Sequence, residues 1–410
     1  MQFKSSRQPL SEIAKMLKVD AIVEGAVLRS GGRVRITAEL VDAKSDKQLW
    51  AHSYEGTSED LLALQADVAG AIAKQVHVAI SPDEYARIAT VRAVKPEAHD
   101  AYLKGVFFWK TSRNPEDWKK ALAFFESAVQ QDPSYALAYA GIASIYSSLM
   151  DVSVPSKVAR GKSRAAAQKA LELDNALAEA HIAMAAVHDG DWNWRDAETE
   201  YKRAIELNPN SALAHHWYGD DLVALGHAEA GIREIRKAVD LDPLSTALRT
   251  NLAWHLYLTR QYEQSLVEAR HLLEVDPKSS FAHEVCGSDY EQQGRYDEAM
   301  AEWRQSLTLD GDTQLAARMT EAYERSGYSG AMQVWLMALL DKSRREYVSP
   351  LRIAELYVLL GNKKQAFVWL ENAFQEHNGG LMKLNSYPLW DPLRSDRRFA
   401  DLVRRVGLPS

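Results

Sequence analysis

The chain has 410 residues, 46% apolar and 26% charged, a balance that can bury a core. Its net charge of −7 argues against the chain as a whole seeking a nucleic-acid backbone or an anionic membrane, and no basic run stands out. The single Cys286 excludes an internal disulfide framework and every multi-cysteine zinc pattern.

The opening MQFKSSRQPLSEIAKMLKV lacks the continuous apolar stretch of a signal peptide, and no run of about 18 apolar residues follows. A cytoplasmic location is expected, or a periplasmic one if the native chain has an upstream membrane anchor. After Pro9, SEIAKMLKV reads as a short helix. DAIVEGAVLRS and RVRITAELVDA are strands joined by an SGG hairpin turn, where glycine suits a positive φ. Val34, Ile36, Ala38 and Leu40 then share one face, and Arg33, Arg35, Thr37 and Glu39 the other. KQLWAHSYEG is a third strand, and a helix over 58–80 follows from a Ser58 cap. Residues 1–90 thus read as a small, partial α+β module with an unprotected sheet edge, and 91–97 as a linker.

From there a repeat dominates. Helix ends of one type recur as AVQQDP to Pro133, AIELNP to Pro209, AVDLDP to Pro243 and LLEVDP to Pro277, with Asn175 and Gly311 in the same slot. From Asn175 onward the spacing is 34 residues each time; between Pro133 and Asn175 it is 42. Small residues (Ala121, Ala197, Gly231, Ala299, Ala366) open each second helix. Bulky ones (Phe125, Tyr201, Ile235, Trp303, Leu370) come four later, and Ala128, Ala170, Ala204, Ala238 and Ala373 continue the stripe. Gly226, Gly294 and Gly361 stand where a first helix ends in a left-handed cap. A 34-residue helix–turn–helix period is that of the tetratricopeptide repeat (TPR). The fold class is therefore mainly α: a TPR solenoid of about eight pairs over 98–376. The pairs are 98–131, 136–173, 178–207, 212–241, 246–275, 280–309, 313–341 and 350–376. The second pair carries its extra residues in the turn MDVSVPSKVARG. The seventh is degenerate, with Met332 and Leu336 in the marker slots. Residues 377–410 form a capping segment with a last helix at 395–406.

LKVDAIVEGAVLRSGGRVRITAELVDAKSDKQLWAHSYE resembles the second half of a TolB-amino-terminal-like (FlgO-like) α/β module. DWNWRDAETEYKRAIELNPNSALAHHWYG, YVSPLRIAELYVLLG and DPLRSDRRFADLVRRVGLP resemble the TPR portion that follows it in a bacterial signalling family. Members of that family carry an upstream output domain: a winged helix, a nucleotide cyclase or a serine/threonine kinase. Here FKSSRQPLSEIAKML matches the middle of the module, which points to a natural chain longer than this one. The output activities do not transfer, because their residues are not in this sequence.

HDGDWNWRDAETE places Asp189, Asp191, Asn193 and Glu200 at EF-hand positions, but Trp194 stands where the loop needs glycine, so a plain inter-helix turn is expected. His216 and Asp220 share a helix face, yet two ligands do not make a metal site. His181, His215, Arg249 and His283 recur at the repeat period, in a slot usually held by tryptophan, and read as packed amphipathic side chains. Cys286 reads as a buried, inert thiol, most tryptophans as core, and Arg29, Arg33 and Arg35 as a solvated strand face. No Walker loop, GxGxxG, GxSxG or HExxH is present. No catalytic residue, metal or cofactor is expected.

In the TPR register the concave groove is lined by Ile182, Ala186, His216, Asp220, Thr250, Trp254, Tyr257, Glu284, Ser288 and Glu291. Trp254 and Tyr257 would form an aromatic anchor. Glu284, Glu291, Glu321 and Glu324 make the later groove acidic, favouring a basic or neutral protein or peptide, with self-association left open. A non-catalytic interaction scaffold is the leading expectation. The alternative is the regulatory portion of a transcription regulator, cyclase or kinase.

Overall fold

The computed structural model describes residues 9–17, 19–57, 61–75, 94–111, 115–150 and 153–409. Its contacts divide the chain into two compact units, Met1–Leu103 with Ser127–Tyr135, and Lys104–Glu126 with Ala136–Ser410.

In the first unit, helix α1 (Leu10–Leu17) precedes strands β1 (Ala21–Ser30), β2 (Arg33–Asp42) and β3 (Gln48–Thr57), an antiparallel meander in the order β1-β2-β3. Gly31 and Gly32 carry φ of 55° and 78°, the positive values a two-residue hairpin loop requires. Val34, Ile36, Ala38 and Leu40 are buried on one face of β2. Val34 and Ile36 pack with Leu64 and Val68 of helix α2 (Leu61–Gln75). Arg35, on the other face, pairs with Glu55 across the strands at 2.6 Å. The expected Ser58 cap and residues 76–80 of the long helix lie outside the described residues, as does the side chain of Arg29.

The helices then alternate as expected: α3 (Pro96–Thr111), α4 (Pro115–Gln131), α5 (Ala136–Leu149), α6 (Ser156–Leu173), α7 (Ala178–Gly190), α8 (Trp194–Leu207), α9 (Ala212–Ala224), α10 (Ala228–Leu241), α11 (Thr246–Leu258) and α12 (Tyr262–Val275). They continue with α13 (Ser280–Gln292), α14 (Tyr296–Leu309), α15 (Thr313–Lys342), α16 (Pro350–Leu359) and α17 (Lys363–Gln375). The fold is a TPR-type stack of helix pairs. Every marker residue of the stripe is buried: Ala121, Ala197, Ala299 and Ala366 are 0% exposed, and Phe125, Ile235 and Leu370 likewise. Such a stripe can lose its water only against neighbouring helices, so each pair depends on the next. Ser211, Ser245 and Ser279, 34 apart, cap α9, α11 and α13 by accepting from the backbone N–H three residues on.

One expectation changes: the extra residues of the second pair do not all sit in the turn, because α6 begins at Ser156, just after Pro155, and takes up VARG. The seventh pair is present as two helices within the α15 range, separated by a kink at the non-helical Gly327 (φ 66°, ψ −165°), and Met332 and Leu336 fill the marker slots at 0% and 2% exposure. After α17 come 3-10 turns at Gly379–Lys383 and Pro388–Leu393 and a last helix, α18 (Arg397–Val406).

Candidate functional site

The ten groove candidates lie on the first helices α7, α9, α11 and α13, and none is exposed. Ile182, His216, Asp220, Thr250, Tyr257 and Ser288 are buried, and Ala186, Trp254, Glu284 and Glu291 are half-buried. Part of this has a local cause: Ile182 packs with Tyr201 of its own pair, and Thr250 Oγ1 donates to the Thr246 carbonyl. The rest has a distant one. The segment after α17 returns along α7, α9 and α11 and lies against them.

Lys383 Nζ reaches Asp220 Oδ1 at 3.1 Å, and His255 Nε2 donates to the same oxygen at 2.6 Å. His255 Nδ1 donates in turn to the Asn251 carbonyl at 2.6 Å. Burial alone would raise the carboxyl of Asp220, but Lys383, His255 and His216 override it and hold Asp220 well below the usual carboxylate range. Next to it Tyr387 stands edge-on to Trp254 (5.5 Å between centroids) and Tyr257 (6.0 Å), while Trp254 and Tyr257 stack at 5.1 Å. The two rings that the sequence paired do stack, and a tyrosine of the same chain packs against them. Arg260 pairs with Asp391 at 2.7 Å.

A buried acidic group lies beneath. Asp189 accepts from Tyr201 Oη at 2.7 Å, and Asp221, 0% exposed, faces it. Burial pushes both carboxyls up, Asp189 raises Asp221 further, and the hydrogen bond between them holds Asp189 the lower of the two. Asp289 is likewise 0% exposed, and burial pushes it up to about 8 even with Ser265 beside it. Glu291 accepts from Tyr328 Oη and is pushed up to about 7 by burial. Of the four glutamates expected to make the later groove acidic, burial weakens the charge of Glu291, while Glu321 and Glu324 stay exposed.

The other candidates separate. Asp191 pairs with Arg164, Asn193 Nδ2 donates to Asp196, and Glu200 pairs with His181 at 2.5 Å, so the EF-hand positions go to different partners. Among the described residues no group of three or more His, Cys, Asp or Glu side chains converges as a metal site would. The recurring slot, read from the sequence as packed amphipathic side chains, is a ladder of hydrogen bonds to glutamates. His181, His215, Arg249 and His283 meet Glu200, Glu234, Glu268 and Glu302 at 2.5, 2.5, 3.3 and 2.5 Å, always 19 residues on. The constant offset was visible in the sequence. Cys286 is buried and its thiol is pushed up to about 12 by desolvation.

No protein-family model matches the chain. A putative adenylate cyclase 3 of Rhizobium meliloti (strain 1021) is 29% identical over 102 residues, which is 25% of this chain and 17% of the cyclase. The chain thus spans about a sixth of the length of that curated relative. Among solved structures, it is similar to YrrB, a TPR protein described as having an unusual peptide-binding site (TM-score 0.32, 20% identity, 48% of this chain and 97% of that one). It is also similar to a thermophilic TPR protein of Thermus thermophilus (0.38, 16%, 50% and 99%) and to the human IFIT1 dimer with m7Gppp-AAAA (0.49, 14%, 77% and 81%). No described helix is long and apolar enough to cross a membrane.

Proposed function

We propose that the chain is a non-catalytic interaction scaffold that holds a protein or peptide segment against the first helices of its middle pairs. One observation carries the reading: Asp220, Trp254, Tyr257 and Arg260 form a wall that already receives a stretch of polypeptide through a lysine, a tyrosine and an aspartate. A basic or neutral partner fits best, since the buried carboxylate of Asp220 takes a cation and Glu321 and Glu324 add exposed negative charge. The reading assigns no catalytic residue. The test is affinity capture from the native cell with the wild-type chain and a Trp254→Ala, Tyr257→Ala variant, both checked for helicity. A partner lost by the variant supports the groove; one retained at equal affinity rejects it.

A second reading, a regulatory portion of a larger signalling protein, is supported by the 102 residues shared with a putative adenylate cyclase. The mass of the endogenous polypeptide tests it. A species well above 46.0 kDa carrying an output domain supports it, and one at that mass rejects it.

A further inference from the structure

The turn after each first helix wants a left-handed residue, and Gly226, Gly294 and Gly361 supply it at φ 88°, 71° and 70°. In the third and fifth pairs the slot holds Trp192 (φ 61°) and Arg260 (φ 62°), a conformation that L side chains rarely adopt. Both side chains reach the C-terminal segment. Trp192 stacks on His377, centroids 3.7 Å apart and planes at 11°, and His377 is itself left-handed at φ 58°. Arg260 holds Asp391. Between them Lys383 meets Asp220 and Tyr387 meets Trp254. Trp194 Nε1 donates to the carbonyl of Val406 at 3.3 Å.

The segment has a second face. Leu381, Leu384, Trp390 and Leu393, all 0% exposed, share a core with Val358, Phe367 and Leu370 of the last pair. Its apolar side is therefore anchored to the helices just before it, and its polar and aromatic side is what crosses to α7, α9 and α11. That division lets the crossing contacts part while the anchor stays packed.

We propose that residues 377–406 are a clasp, occupying in cis a groove that in trans takes a segment presenting a basic, an aromatic and an acidic side chain at four-residue steps, as Lys383, Tyr387 and Asp391 do. The proposal rests on the scaffold reading above. A tethered segment competes at an effective concentration on the order of millimolar, so a free segment at micromolar concentration is excluded until the clasp is weakened.

The probe is a fluorescein-labelled peptide of residues 382–392 (MKLNSYPLWDP), added at micromolar concentration to the full chain and read by anisotropy. Wild type is expected to leave the peptide free, and the Lys383→Ala, Tyr387→Ala variant to bind it. Trp192→Gly, which removes the ring while keeping the left-handed turn, is expected to bind it too, and serves if the double variant fails to fold. Amide exchange over 382–392 rises at least tenfold in both variants. Peptide bound equally by wild type and variants overturns the clasp alone, as does exchange unchanged in both. Faster exchange without peptide binding overturns the ligand chemistry. Adding Asp220→Asn and Trp254→Ala to an open variant should abolish binding; binding that survives them rejects the groove reading itself.

Discussion

Asp289→Asn should make the protein more stable, and increasingly so as pH rises. Asp289 is fully buried on α13, and burial moves its carboxyl from the ordinary 3.8 up to about 8 against the lowering effect of a hydrogen bond from Ser265. The folded state therefore holds a proton that the unfolded chain releases near pH 4. For a group whose folded value is raised, the stability contribution is complete below the unfolded value and disappears as pH climbs through the folded one. Each pH step of one across that window removes about 1.4 kcal/mol. Between pH 5.5 and 8.5 the loss at this residue comes to roughly 3 kcal/mol, an upper figure because relaxation and water entry soften it. Asparagine keeps the shape and cannot ionise. Urea midpoints at the two pH values, wild type against variant, measure the difference. The expected outcome is a flatter pH dependence in the variant and a gain of about 2 kcal/mol at pH 8.5. Equal pH slopes, or a variant weaker at both values, would refute a buried, protonated Asp289.

The remaining predictions concern packing and the ladder. A Cβ at Gly219 would stand 2.5 Å from Ile235 Cγ1, and one at Gly231 2.6 Å from the Gly219 carbonyl. Either alanine substitution should then cost about 1–3 kcal/mol in thermal or urea unfolding, whereas Gly161→Ala, with nothing near it, should be neutral or mildly stabilising. The hydrogen bond that His181 donates to Glu200 raises the pKa of His181, so that pair stabilises the fold below the ordinary histidine value and the contribution fades as pH rises through the raised one. Glu200→Gln should remove that slope in unfolding midpoints compared between pH 5.5 and 8, and should return the His181 titration, followed by NMR, toward 6.5. Arg260→Gly relaxes a left-handed residue but loses the Asp391 pair. The expected result is unfolding stability within about 1 kcal/mol of wild type together with faster amide exchange in the Pro388–Leu393 turn.

The helices were legible because burial of a helix stripe writes itself into the sequence at a fixed step. Ala204 and Ala238, or Tyr201 and Ile235, announce their packing wherever they stand. The hairpin was legible for the same local reason, from Gly31 and Gly32. The closeness of Trp254 and Tyr257 on one helix was legible too, and the two rings stack. What packs against them was not. Lys383 and Asp220 are 163 residues apart, and no periodicity links them. One trace was present: Trp192 and Arg260 interrupt a slot that glycine fills in three other pairs, and a side chain kept on a left-handed residue signals a distant contact. Even the degenerate seventh pair was legible, since Gly327 breaks the helix between its two halves and Met332 and Leu336 keep the buried slots.

The return of the C-terminal segment also bears on how the repeat unit folds. An open helical-repeat array is a one-dimensional object: each pair feels its neighbours, ends fray independently, and folding can begin anywhere and spread. Here Arg160 donates to the carbonyl of His377 across 217 residues of sequence, and Trp194 to that of Val406 across 212. Such contacts impose a large loop-closure entropy that must be met before they stabilise anything. The pairs should thus form early from local contacts, and the two ends should join last, in one step. Once joined, the middle and last pairs can no longer melt separately, and a weakness introduced at either end is felt at the other.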